Sequence, residues 1–477
     1  MQFMHLAEKH SGLPFSNYDD LWQWSISDRS AFWNLIWDAL HVIGDKGEGA
    51  ILENGDDMLH SRWFSSSRLN YAENLLNPNP NLDNKTAMVF WGENKIKSRI
   101  SHRELFERVA QYAKALQLAG VVMGDCVAGY LPNRIETMVA MLATVSIGAI
   151  WTSASPDFGE EAVLDRFGQT KPRVVFCTDG YWYNGKEINC MQKNRAIVTA
   201  LPNLLKVVFI PYLNKTFDLD TIPHALSIDD FLAPCLNQKE INFARTTGIP
   251  KCIVHGHGGV LLQHLKEHRL HGNLDEKSSM LFYTTCGWMM WNWLASILAL
   301  KCTILLYDGS PFLNNGNILF DYAAAEHATH LGAGAKFFDA CAKENLSPKN
   351  THDFSALSVI FSTGSPLIPE RFSYIYDAIK PNVQLSSISG GTDIISCFAL
   401  GNPMLPVYQG EIQCKGLGLA VDVFDENGKS IAAEHGKKGE LVCTRSFPSQ
   451  PIYFFGDTHH EKYKAAYFFA LAQCLVP

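Results

Sequence analysis

Apolar runs of five or six residues alternate with amphipathic stretches along most of the chain. Cys126 to Leu131 (CVAGYL) is apolar throughout, Asn133 and Glu136 cap a helical pattern running through Ser146, and Ala149 to Ser153 begins another strand. Strand, helix and strand in that order make a βαβ unit, and such a unit implies a parallel sheet. Before it, Thr86 to Trp91 and Ile96 to Ile100 flank GENK as a hairpin, and Ser101 with Glu104 forms a capping box for a helix ending near Gly120. After it come a helix over Glu160 to Gln169 and strands at Arg173 to Cys177, Val207 to Pro211, Thr303 to Tyr307, Leu357 to Phe361 and Asn382 to Leu385. From Gly410 the pattern changes to short strands around a DENG turn at Asp425 to Gly428, which predicts an antiparallel β segment. The fold class is α/β. Residues 1–85, tryptophan-rich with the helical pattern SDRSAFWNLIWDAL, read as an N-terminal cap region, 86–409 as the α/β core and 410–477 as the β segment.

One stretch competes with this reading. Met280 to Leu300 runs without a charged residue for a length able to span a bilayer. Its Thr284, Thr285, Gly287, Asn292 and Ser296 fit a buried helix better. The chain has 477 residues, 40 basic and 48 acidic, for a net charge of -8, so no global positive field exists to hold a nucleic acid. A small anion in a local pocket remains compatible with that balance. Twelve cysteines begin at Cys126 and form no CxxC pair, which excludes a disulfide framework or a zinc module of familiar spacing and points to reduced thiols in the cytosol. The first residues, MQFMHLAEKHSGLPFS, hold no apolar h-region of a secretory signal.

Chemistry concentrates in three loops. Thr246 to Gly259 (TTGIPKCIVHGHGG) places hydroxyls, a glycine and Lys251 within six residues, the composition of a loop that wraps phosphate oxygens, although GxxxxGK[ST] is absent. Ser362 to Leu367 (STGSPL) lies after an apolar strand and before the helix PERFSYIYDAI, where open α/β sheets bind ligands. Ser386 to Asp393 (SSISGGTD) again follows a strand. Its paired glycines let a flat ring lie on the backbone, and Asp393 offers oxygen to a hydrated magnesium ion. Each loop alone is an ordinary strand-to-helix turn; three in one chain point to a nucleotide. A competing motif is HLKEH, in which His264, Glu267 and His268 match the inverted zincin pattern HxxEH and suggest a zinc hydrolase. His255 and His257 read as loop residues. No nucleophile elbow and no dinucleotide fingerprint is present, and a carboxylate attacking the α-phosphate of ATP needs none, only charge neutralisation and in-line positioning.

Together these segments resemble a known family. TTGIPKCIVHGHGG, HLKEHRLHGN, TTCGWMMWNW, LYDGSP, STGSPL, SISGGTDIISC and LPVYQGEIQ, with SRLNYAENLL, GYLPN and SPDFGEEAVLDRFGQ, closely resemble the acetoacetate–CoA ligase family of acyl-adenylate-forming enzymes, over nearly the whole chain. The resemblance implies the large N-terminal domain of an adenylate-forming enzyme, with ATP, Mg2+ and coenzyme A as its small molecules, acetoacetate as the acid and acetoacetyl-AMP as the intermediate. It implies that Thr246, Thr247, Gly248 and Lys251 line the triphosphate, with Thr246 and Lys251 catalytic. Gly364, Ser365 and Pro366 would border the adenine, and Ser389, Gly390, Gly391, Thr392 and Asp393 would lie beside the nucleotide, Asp393 at the metal. Trp288, Met289 and Trp291 would wall the acyl pocket, with core packing an equal alternative, and Lys186 would meet the coenzyme A phosphates. Another short-chain acyl-CoA synthetase and a non-catalytic nucleotide-binding fragment remain as alternatives. No membrane span, protein partner or nucleic acid is expected.

Two departures from the family pattern set further expectations. Asn242 to Arg245 (NFAR) precede TTGIPK directly, where the family carries an apolar strand and a fuller SSGTTGxPK loop. The sequence also stops soon after FFGDTHHEKYKAAYF, before the family's ribose-binding aspartate, hinge and small C-terminal domain with its adenylation lysine. A lost central strand predicts a gap in a parallel sheet, and the two departures together predict a truncated or misassembled chain of uncertain activity.

Overall fold

The computed structural model describes residues 1–213, 218–246, 255–434, 436–454, 456–457 and 459–468. Two parallel sheets dominate. The larger has seven strands in the spatial order Gln384–Ser387, Val359–Thr363, His330–Gly334, Ser279–Phe282, Thr303–Asp308, Thr86–Gly92 and Ile96–Ser101. Every neighbouring pair is parallel except the last, the hairpin read around GENK. The second sheet orders Ala225–Ser227, Lys206–Ile210, Val174–Thr178, Cys126–Tyr130 and Ile150–Ala154, all parallel.

The two-residue alternation of a strand explains how these sheets stack. Met88, Phe90, Met280, Phe282, Ile304 and Leu306 point to one face of the seven-stranded sheet, and Val127, Phe176 and Val208 from the other sheet join them in the same apolar core. The helices His102–Leu118 and Ile135–Ser146 fill that shared core. Intervening residues face outward: Val89, Trp91, Leu305 and Tyr307 pack against the helix Ile318–Ala325, and Ala128, Tyr130, Val175 and Phe209 against the helix Glu160–Thr170. Strands buried on both faces are why these segments read as continuous apolar runs. The capping box at Ser101 forms with both reciprocal bonds in place.

The tryptophan-rich N-terminal helices Gln2–Ser11, Tyr18–Ser27 and Arg29–Ala39 close against the far end of the described chain. The Tyr18 hydroxyl donates to Lys415 O at 2.5 Å, Trp22 Nε1 to Leu419 O at 3.1 Å and Arg29 Nη1 to Ser446 Oγ at 3.1 Å. Phe32 and Trp33 are fully buried in the core the two sheets share. The late β segment is antiparallel as expected, pairing Val421–Phe424 with Glu440–Cys443, and the Asp425 carboxylate accepts from the N–H groups of Asn427 and Lys429 within the DENG turn.

Two sequence readings are corrected. Met280 to Leu300 is no single helix: it divides into the end of a central strand, a loop, the helix Met289–Ala295 and the 3-10 turn Ser296–Leu300, and among the described residues no helix is long and apolar enough to cross a membrane. Asn133 does not cap the helix Ile135–Ser146, whose N-cap is Arg134 without a side-chain cap bond. The helix in PERFSYIYDAI ends in a π turn over Ile375–Ile379. The residues before Thr246 form irregular chain held by Ala244 N–H donating to Ser146 O, and Ile150–Ala154 is an edge strand among the described residues.

Candidate active site

Parallel strands end on one edge, so the carboxyl ends of Ser279–Phe282, His330–Gly334, Val359–Thr363 and Gln384–Ser387 gather their following loops together, where ligands bind in open α/β sheets. Gly364, Ser365 and Pro366 stand exposed there, and Gly364 takes φ +79°, a backbone region that favours glycine. Ile388 N–H donates to Ser362 O at 2.9 Å and joins this loop to the next. In that next loop Ser389–Gly391 pairs antiparallel with Ser396–Leu400. The Gly390 backbone lies so close to its partner that a Cβ would sit 2.0 Å from Ser396 O, which explains a glycine at that place. Thr392 and Asp393 turn outward at the tip, and the Tyr467 hydroxyl donates to Asp393 Oδ1. Thr246 pairs with Leu69, its N–H donating to Leu69 O at 3.1 Å, and Thr247, Gly248 and Lys251 lie outside the described residues.

The aromatic helix separates by exposure. Trp288 is 61% exposed and meets Phe158 edge-on at 6.4 Å between centroids, Met289 is half-buried and Trp291 is fully buried. Trp291 Nε1 donates to Asn133 Oδ1 at 2.9 Å, and the Asn133 amide donates to Thr284 O at 3.2 Å and Tyr307 O at 3.1 Å. Asn133 thus ties the end of a strand in one sheet to two strand ends of the other. Beside it Asp308 accepts from Asn133 N–H at 3.2 Å, and burial pushes its carboxyl up to about 7 against the pull of that N–H and of Arg134. Arg134 lies over the Tyr212 ring at 4.5 Å and donates to Pro211 O at 2.9 Å.

Lys186 is exposed at the start of the short strand Lys186–Asn189, which pairs with Gly180–Tyr183 in a two-stranded hairpin. The turn is Asn184–Gly185, both with positive φ (+52° and +76°), the twist that two-residue hairpins prefer.

The HLKEH helix is buried, and its histidines find backbone oxygens instead of a metal. His264 Nε2 donates to Ile395 O at 2.5 Å and His268 Nε2 to Trp293 O at 2.9 Å, while burial lowers both imidazoles and keeps them neutral. Among the described residues no group of three His, Cys, Asp or Glu side chains is arranged to hold a metal ion, so the zinc hydrolase expectation fails. Glu267 is instead a buried junction. Its carboxylate accepts from Trp293 Nε1 at 2.8 Å, Gln263 Nε2 at 2.8 Å and Cys397 N–H at 3.2 Å, with Lys266 Nζ 3.7 Å away. The helix of Trp288 to Trp293 and the strand that follows Asp393 are therefore fastened to one side chain. His255 is lowered to about 4 chiefly by burial, with His264 adding to the fall and Ser449 and Asp393 beside its ring opposing it. All ten described cysteines are free thiols.

Sequence reasoning missed Glu93, Asn133, Asp308 and Tyr467. An asparagine and an aspartate at strand ends carry a weak signal, whereas the roles of Glu93 and Tyr467 depend on contacts more than 70 residues away in the chain.

Comparison with known proteins agrees with this geometry. Residues 79–447 match the family model described as AMP-binding enzyme, and residues 18–75 match that of the acetyl-coenzyme A synthetase N-terminus. The chain therefore belongs to the AMP-binding enzymes, the ATP-dependent acyl-adenylate ligases, in the α/β fold expected. It is 49% identical to the acetoacetyl-coenzyme A synthetase of Rhizobium meliloti (strain 1021) over 98% of this chain and 73% of that protein, and 44% identical to the acetoacetyl-CoA synthetase of Gallus gallus over 96% and 71%. A solved structure of acetoacetyl-CoA synthetase from Streptomyces lividans superposes with a TM-score of 0.93 at 34% identity, covering 100% of this chain and 75% of that one. Within the AMP-binding enzymes, the chain belongs to the acetoacetyl-CoA synthetase family.

Proposed function

We propose that this chain activates acetoacetate with ATP and joins it to coenzyme A, in the cytosol. Support comes from relatives as much as 49% identical, over 98% of the chain, and from nucleotide-type loops gathered at one sheet edge. In the first half-reaction an acetoacetate carboxylate oxygen attacks the α-phosphorus and pyrophosphate leaves. The attacking group is already an anion, so no general base is needed, and the work of the protein is to neutralise charge and align the groups in line. Thr246, Thr247, Gly248 and Lys251 line the triphosphate, with Thr246 and Lys251 the catalytic residues. Gly364 to Pro366 border the adenine, and Ser389 to Thr392 lie along the nucleotide. In the second half-reaction the thiol sulfur of coenzyme A takes the acyl group, AMP leaves and the thiol proton passes to solvent, with Lys186 pairing with a phosphate of coenzyme A. The division at residues 85 and 409 separates a cap, the nucleotide-binding core and the β segment.

Magnesium fits this arrangement as an ion carried in on the phosphates. Asp393 offers one half-buried carboxylate beside the Tyr467 hydroxyl, hard oxygen donors of the kind suited to an ion that keeps its waters. When bound it supplies charge neutralisation on the phosphates.

The test is acetoacetate-dependent exchange of labelled pyrophosphate into ATP, with magnesium and without coenzyme A. Exchange that Lys251→Ala abolishes supports the proposal. Exchange driven better by acetate or another short acid assigns a different acyl substrate, and ATP binding without exchange makes this chain a nucleotide-binding protein.

A further inference from the structure

Glu93 sits in the turn between Thr86–Gly92 and Ile96–Ser101, fully buried although the turn itself is at the surface. Its backbone holds φ +48°, unusual for a side chain other than glycine, and its N–H donates to Asp308 O at 3.0 Å. The carboxylate accepts three backbone N–H groups. Asn184 N donates to Oε1 at 2.6 Å, Gly185 N to Oε2 at 2.8 Å and Ser310 N to Oε1 at 3.0 Å. Two of these donors are the turn residues of the hairpin that carries Lys186. Room for the carboxylate is made by Gly309 at φ +125°, where a Cβ would lie 2.2 Å from Glu93 Cγ.

Two-stranded hairpins have little stability of their own. This one pairs four residues per strand and presents Tyr183 and Lys186 as opposed, exposed partners at its tip. Tyr183 lies within electrostatic reach of Tyr283 and Tyr307, which stand at strand ends of the larger sheet. A charged acceptor on two adjacent N–H groups is the strongest anchor the backbone offers such a turn.

We propose that Glu93 is a positioning residue: by gripping the Asn184–Gly185 turn it fixes the hairpin tip and aims Lys186 at the phosphates of coenzyme A. The proposal rests on the reading that Lys186 meets coenzyme A. Glu93→Gln keeps the shape of the side chain but turns one acceptor into a donor facing an N–H group, so the tip is released. A tip in the competent position about a tenth of the time weakens coenzyme A binding by about tenfold.

Three measurements on the full chain test it: the Kd for coenzyme A by calorimetry, pyrophosphate exchange, and the rate of tryptic cleavage after Lys186. Glu93→Gln is expected to raise the Kd about tenfold, to leave exchange within about twofold because that half-reaction uses no coenzyme A, and to speed cleavage at Lys186. Unchanged Kd or unchanged cleavage in Glu93→Gln, with Kd raised by Lys186→Ala, overturns the role of Glu93 and leaves the Lys186 reading standing. Unchanged Kd in Lys186→Ala overturns the Lys186 reading and the proposal with it. If Glu93→Gln does not fold, Gly185→Val distorts the same turn from its exposed side, and it must raise the Kd for the proposal to survive.

Discussion

Asp308→Asn should stabilise the protein at alkaline pH and leave it almost unchanged in mild acid. Asp308 is buried at the end of a central strand, with Asn133 N–H on one oxygen and the Tyr212 hydroxyl beside the other. Burial raises its carboxyl from 3.8 to about 7, which at about 1.4 kcal/mol per tenfold change is worth about 4 kcal/mol. The sign follows from proton counting. Between about pH 4 and pH 7 the folded protein keeps this proton and the unfolded chain has lost it, so stability falls as pH rises through that window and is flat above it. Asparagine retains the oxygen that accepts from Asn133, turns an amide toward Tyr212 and cannot ionise. Urea denaturation at pH 5 and pH 8 measures the effect. The wild type should lose about 2.6 kcal/mol between them relative to the variant, because part of the fall is already complete at pH 5. Parallel pH dependence in the two proteins would refute the reasoning, because Asp308 would then be solvated enough to ionise freely.

Other substitutions probe the remaining junctions. Glu267→Ala leaves buried Lys266 without its counter-charge and strips the Trp293 indole and Cys397 N–H of their acceptor; a loss of about 3–5 kcal/mol in denaturant melts is expected, and a loss below about 1 kcal/mol would sink the account. Trp288→Ala should leave stability nearly unchanged while raising the acetoacetate concentration needed for pyrophosphate exchange, whereas Trp291→Phe should cost about 1–2 kcal/mol by leaving Asn133 Oδ1 unpartnered. Gly390→Ala drives a methyl into Ser396 O, so ATP affinity measured by calorimetry should fall at least about tenfold; retained affinity would detach that loop from the nucleotide.

Much of this protein is written in local pattern. The continuous apolar runs at Cys126–Tyr130, Val174–Thr178, Thr303–Asp308 and Val359–Thr363 specify strands covered on both faces, because only a parallel sheet between helices buries every residue of such a run. Capping at Ser101, the hairpin around GENK and the turn at Asp425 were likewise legible, since each is closed by bonds a few residues apart. So were the two loops after Val359–Thr363 and Gln384–Ser387, whose glycines and hydroxyls follow strands directly. The sequence also held an unused signal: Asn184–Gly185 is a strong two-residue hairpin turn.

Tertiary structure decided what composition left ambiguous. HLKEH has the spacing of a metal site, and burial against Ile395 and Trp293 turned its histidines to carbonyl oxygens and its glutamate to an indole and a backbone amide. Met280 to Leu300 has the length and lack of charge of a membrane span, and pairing of its first residues between two strands, which no local pattern encodes, broke it into a strand and a helix. The helical register put Trp291 inside and Trp288 outside, a choice set by which face meets Asn133. Local bonds, closed within a few residues, are fixed by the sequence around them. Glu93 on the turn at 184 and 185, and Tyr467 on Asp393, exist only because the sheets bring distant segments together, and a contact of that kind has no local pattern to announce it.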